Sequence, residues 1–226
     1  DADAADWQVA QRLRFNTTVK ASGMTMFTQL HSIQTWGTNV WPGTDTHGND
    51  GQGAVGVHQA NITIPNLYNS GWTAKLGRQE IVLDGHRLFG HTGWHLDAVT
   101  HDAAVLINPA WDLIYAMSYM ANAGEANTNE DAIAHVFRKG LSLAGGKTAL
   151  YFISVDDGSN GQDNVSWHTL GIRQAGKAAG YDYRVEYYRQ TGEVIPSVTG
   201  VGSWVANHGA DVDAYMFGAR LGKKVN

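Results

Sequence analysis

Residues 7–20 read WQVAQRLRFNTTVK, and the alternation in this stretch decides the fold class. Trp7, Val9, Leu13, Phe15 and Val19 share one face of an extended chain. Gln8, Arg12, Arg14, Asn16 and Lys20 share the other. Successive side chains of a strand point to opposite faces, so this is a two-faced strand. An apolar face backed by cations fits a barrel wall with lipid outside and water inside. It also fits one sheet of a soluble sandwich. On a lipid face near the midplane a cation costs about 2–4 kcal/mol. In a barrel, therefore, Arg12, Arg14 and Lys20 belong to the lumen.

Working outward, the period stays at two. Only 130–140 (EDAIAHVFRKG) could pass for a short helix, and its context argues for a strand. Further strands are expected at 24–36, 53–65, 71–83, 94–107, 111–120, 131–143, 147–156, 164–175, 181–190 and 211–222. With the first, that makes about eleven, most of them 10–14 residues long. Soluble strands average about 5–6 residues, whereas a membrane-spanning strand needs about 9–11. Length discriminates better here than alternation does.

The connections sort by length. Those at 21–23, 66–70, 108–110, 144–146 and 176–180 are tight and rich in Gly, Asn, Pro or Ser. Those at 37–52, 84–93, 121–130, 157–163 and 191–210 are longer and polar. Short turns at one end and long loops at the other are the outer-membrane arrangement, with the short ones periplasmic. A soluble meander has no reason to alternate in this way. The expected fold is thus all-β, an antiparallel transmembrane β-barrel.

If the short turns are periplasmic, the first strand runs from outside inward. A complete barrel begins and ends in the periplasm with an even strand count, whereas eleven is odd. The last residues, GARLGKKVN, also lack a terminal aromatic. The expectation is a single barrel segment over 1–226, with its first strand and C-terminal strands missing. An open sheet edge in lipid is untenable, so further strands or other chains would complete the wall.

Composition agrees. Charged residues are 16% of the chain, against roughly 25% in a typical domain. The 8 Trp and 9 Tyr suit a boundary where one end of a ring is apolar and the other wet. With no cysteine, disulfides, Cys-based zinc sites and Cys nucleophiles are excluded. A net charge of −5 argues against nucleic acid as a partner. No run of 18 apolar residues exists to form a transmembrane helix. The opening DADAADW is no signal peptide, so an exported protein would be present in processed form.

One stretch is more specific. Leu76-Gly77-Arg78-Gln79-Glu80, Asp84-Gly85-His86-Arg87-Leu88-Phe89-Gly90, Trp94 and Leu96-Asp97-Ala98-Val99 follow one another across two strands and their loop. This progression resembles the alginate-export family of outer-membrane porins. Arg12-Leu13-Arg14-Phe15 and His58-Gln59-Ala60 also resemble that family's early strands. The resemblance covers roughly residues 10–100, with Leu96 where the family prefers Phe. It implies an eighteen-strand monomeric barrel of about twice this length, passing an acidic polysaccharide along a lumen of Arg and Lys. Guanidinium forks match carboxylates, and several modest sites keep a polymer moving.

The candidate pore-lining residues are Arg12, Arg14, Lys20, Lys75, Arg78, Glu80, Arg87, Asp97, Arg184 and Glu186. Trp72, Ala74 and Leu76 form an apolar face that strict alternation would extend to Arg78. A bulge at Gly77 would instead turn Arg78 and Glu80 inward and put Ile81 and Leu83 on lipid. A structural ion pair suits Arg78 and Arg87 as well as substrate contact does, with Asp97 as the obvious partner. On the tenth strand Tyr181, Tyr183, Val185 and Tyr187 face out, while Asp182, Arg184, Glu186 and Gln190 face in.

His86, His91, His95 and His101 cluster in sequence, and Asp45, His47 and Asp50 share a loop. None has helical H-x-x-x-H zinc spacing, so no metal or other cofactor is expected. Residues 156–163 resemble a calcium loop without its closing Glu, which a plain turn explains. No nucleophile elbow or phosphate loop is present. The sequence therefore points to an outer-membrane, non-enzymatic channel whose partners are the lipid bilayer and anionic polysaccharide or small anions. A structural barrel of a larger surface assembly and a soluble β-sandwich polysaccharide-active enzyme are the alternatives.

Overall fold

A computed structural model describes residues 8–37, 55–96, 98–120, 132–143, 145–157, 165–194 and 210–223. Asp45, His47, Asp50, Asp97 and the calcium-like stretch at 158–163 lie outside them. Among the described residues eleven antiparallel strands form one sheet, each beside its neighbour in sequence. They are β1 (Gln8–Ala21), β2 (Met24–Gly37), β3 (Gly56–Ile64), β4 (Thr73–Gln79), β5 (His101–Asn108), β6 (Leu113–Met120), β7 (Ala132–Leu143), β8 (Gly146–Asp157), β9 (Val165–Ala178), β10 (Tyr181–Val194) and β11 (Ala210–Gly222). Of the ambiguous stretch at 130–140, the described residues 132–140 are strand. Among the described residues no helix is long and apolar enough to cross a membrane.

Two of the tight turns explain themselves locally. Ser22 and Gly23 have φ of 51° and 77°, and Ala179 and Gly180 have 50° and 79°. Two consecutive left-handed residues match the right-handed twist of the strands they join. Four strands are 14 residues long. At about 3.3 Å per residue each measures roughly 46 Å, enough to cross hydrocarbon at a tilt near 45°.

The chain divides into two compact units, one of Asp1–Pro65 with Lys75–Ala103 and one of Asn66–Ala74 with Ala104–Asn226. In the first, β1 keeps the expected faces. Leu13, Phe15 and Val19 stand exposed, Phe15 by 65%. Across the register Phe15 meets Leu30 and Val19 meets Met26. On the opposite face Arg14 meets His31, Asn16 meets Gln29 and Lys20 meets Thr25.

In the second unit the two faces separate cleanly. Leu150, Ile172, Tyr187 and Phe217 form one exposed row across four strands. Phe137, Phe152 and Leu170 form the next, with the two Phe rings 6.1 Å apart. Leaving one such side chain in water forgoes about 1.5–3 kcal/mol. Lys139 lies on this face too, but its ammonium reaches the Trp111 carbonyl at the β5–β6 turn, leaving its stem on apolar surface. Buried Ala134, Val136, Ile153 and Val155 occupy the other face.

The expected strands at 71–83 and 94–107 are shorter in the structure, and the described residues between Gln79 and His101 are not strand. Gly77 has φ 110°, and a Cβ there would stand 2.4 Å from the Ala60 carbonyl oxygen. Close approach of two backbones thus requires glycine and ends the regular alternation. Farther along, Asp84, His86, Thr92 and Ala98 all have positive φ. The expectation that Ile81 and Leu83 face lipid is overturned: they are 4% and 6% exposed. The period-two rule fails because the strand has already ended at Gln79.

Candidate functional site

A bulge builds the first cluster. Gln29 pairs with Gln59 and Leu30 with Val57, so His58 is the extra residue of β3. The irregularity accompanies burial of both His58 and Gln59, where a regular strand would bury one of the two. His58 stacks on His31 with centroids 4.7 Å apart and planes 10° from parallel. Its Nε2 lies 3.1 Å from Arg14 Nη2 and 3.1 Å from Glu80 Oε1. A neutral Nε2 either donates or accepts, so only one of these contacts is a hydrogen bond at a time. Arg14 Nη1 also donates to Glu80 Oε1, at 3.4 Å.

Beside this cluster runs a ladder of amides. Gln29 Nε2 donates to Asn16 Oδ1 at 2.7 Å, Gln59 Nε2 to Gln29 Oε1 at 3.4 Å, and the Glu80 backbone N–H to Gln59 Oε1 at 3.2 Å. Donors and acceptors run head to tail, so each bond polarises the next. Sequence reasoning took Gln59 only as part of a family resemblance and passed over Gln29. Their position on the polar parity of β2 and β3 was the signal available.

Arg12 serves the segment at 80–100. Its Nη1 donates to the His95 carbonyl at 2.8 Å and the Leu96 carbonyl at 3.0 Å, and its Nη2 to the Gly93 carbonyl at 3.5 Å. The segment is held further by its own backbone. Leu83 N–H donates to the Phe89 carbonyl, His95 N–H to that of Thr92 and Val99 N–H to that of His91. Since Arg12 shares its face with Arg14 and Asn16, the segment lies on the polar side of the sheet.

In the second unit Glu186 is 1% exposed. Across the register it meets Arg173 on β9 and Gly218 on β11. Arg184 Nε stands 3.7 Å from Glu186 Oε1, and the Tyr188 hydroxyl donates to Oε2 at 3.4 Å. A buried carboxylate needs such company, because uncompensated burial costs several kcal/mol. Arg184 and Glu186 are thus brought together as the polar parity of β10 required, and Tyr188 is the partner that sequence reasoning missed.

Arg78 and Asp102 pair side-on through one guanidinium edge, Nε donating to Oδ1 at 2.9 Å and Nη2 to Oδ2 at 2.7 Å. The expected partner Asp97 is outside the described residues. Asp102 holds Arg78 because β5 brings it alongside β4, whereas Glu80 turns to Arg14. Lys20 and Arg87 are exposed and Lys75 is partly buried. Of the four clustered histidines, His86 and His91 meet edge to face at 5.3 Å. Among the described residues no group of three or more His, Cys, Asp or Glu is placed to hold a metal ion.

A family model described as alginate export matches residues 5–223. No curated protein matches the chain.

Proposed function

For a chain that belongs to the alginate-export family, we propose an outer-membrane channel that passes anionic polysaccharide or small anions. That family is one of transport channels in the Gram-negative outer membrane. The observation that carries the reading is the exposed apolar face of long strands. Leu150, Ile172, Tyr187 and Phe217 form a continuous row open to the surroundings. A soluble sandwich or lyase would bury such a row or replace it with polar residues.

The opposite face carries the chemistry. Arg12, Arg14, Lys20, Lys75, Arg78, Glu80, Arg87, Asp97, Arg184 and Glu186 are proposed to line the lumen. Their division of labour is uneven. Arg12, Arg14 and Arg184 already hold carbonyls or carboxylates, so they support the wall as well as its potential. Lys20 is exposed and suits direct contact with a passing carboxylate. Signs are mixed, and modest sites let a polymer move on.

Two measurements test this. The protein should show heat-modifiable mobility after detergent extraction, and full solubility without detergent would sink the membrane reading. In planar bilayers the anion-over-cation preference should fall on Lys20→Glu. Unchanged preference would remove Lys20 from the lumen.

A further inference from the structure

We propose that Trp94 is a stacking subsite for the pyranose rings of a polysaccharide passing through the channel. This rests on the channel reading above. Trp94 is 86% exposed, yet it does not belong to the apolar rows. It stands at the tip of the turn closed by the His95 N–H and the Thr92 carbonyl, 2.8 Å apart. Arg12 grips that turn on both sides of the indole, through the carbonyls of Gly93, His95 and Leu96. The backbone is therefore fixed while the ring is presented.

The same grip decides what the ring faces. A surface Trp on the lipid side would be a membrane anchor. Here the residue that holds the turn shares its face with Arg14, Asn16 and Lys20, opposite Leu13 and Phe15. Within the same segment Ile81, Leu83 and Ala98 are buried while the indole stays exposed. His95 meets the indole edge to face at 5.8 Å and supports its orientation.

A pyranose has an apolar face of axial C–H bonds and a rim of hydroxyls or carboxylate. The π-face of an indole is negative and takes the C–H face, while the rim stays in water. Stacking reads the C–H face of the ring rather than its charge. It thus complements the cations, which read only charge, and slows the chain without trapping it.

The test uses the full chain in planar bilayers with a hexamer of mannuronate as blocker. Trp94→Ala should shorten the mean blockade roughly tenfold, as loss of one aromatic stacking contact predicts. Trp94→Phe should retain about half of the wild-type residence, since a smaller ring remains. Trp111→Ala, an exposed indole at the β5–β6 turn, should leave residence as in wild type. If the hexamer blocks wild type and Trp94→Ala equally long, the subsite is overturned and the channel reading stands. If wild type conducts chloride but is never blocked, polysaccharide passage and the subsite fall together. Should Trp94→Ala lose its heat-modifiable mobility, Trp94→Phe and Trp94→Gln carry the same comparison.

Discussion

Tyr188 occupies the space that a side chain at Gly171 would need. A Cβ on Gly171 would stand 2.3 Å from Tyr188 Cδ1, and the two residues are register partners on β9 and β10. One row away, a Cβ on Gly218 would stand 3.0 Å from Glu186 Oε1. Glycines thus make room for the large side chains of this face. Gly171→Ala should cost about 1–3 kcal/mol through overpacking. In a Tyr188→Ala background most of that cost should vanish, and a double-mutant cycle of thermal midpoints checks it. Equal cost in both backgrounds would mean the ring is not what Gly171 accommodates.

Phe152 lies midway along β8 on the exposed face, across from Phe137 and Leu170. If that face meets lipid, Phe152→Arg should destabilise the folded protein in bilayers by about 2–4 kcal/mol. Phe152→Leu should cost less than about 1.5 kcal/mol. Denaturant titration in vesicles distinguishes them, and a neutral Arg variant would place this face in water.

Glu80 accepts from Arg14 at 3.4 Å and stands 3.1 Å from His58 Nε2. Glu80→Gln keeps the shape but removes the charge that balances a partly buried guanidinium. The expected loss is about 1–2 kcal/mol, discounted for partial exposure. Arg14→Gln together with Glu80→Gln should lose less than the sum of the single changes. Strict additivity would show that the pair does not couple.

Arg12 grips three carbonyls with one planar fork. Arg12→Ala should speed amide exchange at 86–96 at least about tenfold, because local opening of the segment loses roughly 1.5 kcal/mol of charge-assisted bonding. Arg12→Lys should recover only part of it, since a point charge cannot fork across the turn. Unchanged exchange in Arg12→Ala would mean that the segment's own backbone bonds suffice.

Much of the architecture was legible in the chain. The strand count, the alternation of short and long connections and the faces of β1 and β10 follow from period two and turn chemistry, which are local. The likeness of 76–99 to the family's motif was legible too, and the family match over 5–223 carries it along nearly the whole chain. Partners were less so. Arg184 and Glu186 are two residues apart on one strand and were readable together. Arg173 stands opposite Glu186 only because β9 pairs with β10 in one register.

What the sequence determined by itself is which side chains share a face, because the pleat repeats every two residues regardless of surroundings. What only the tertiary structure decided lies where that period breaks. His58 joins Gln59 in burial at a bulge, Ile81 and Leu83 turn inward past the end of β4, and residues 80–100 come back to the polar face of β1. Those outcomes depend on groups that meet across large sequence separation: Arg12 with the carbonyl of His95, Arg14 with Glu80, Gln59 with the Glu80 N–H. A hydrogen bond between residues tens of positions apart leaves no period in the chain. The opening strand announced two arginines on its polar face, and the fold assigned one to a turn and the other to a carboxylate.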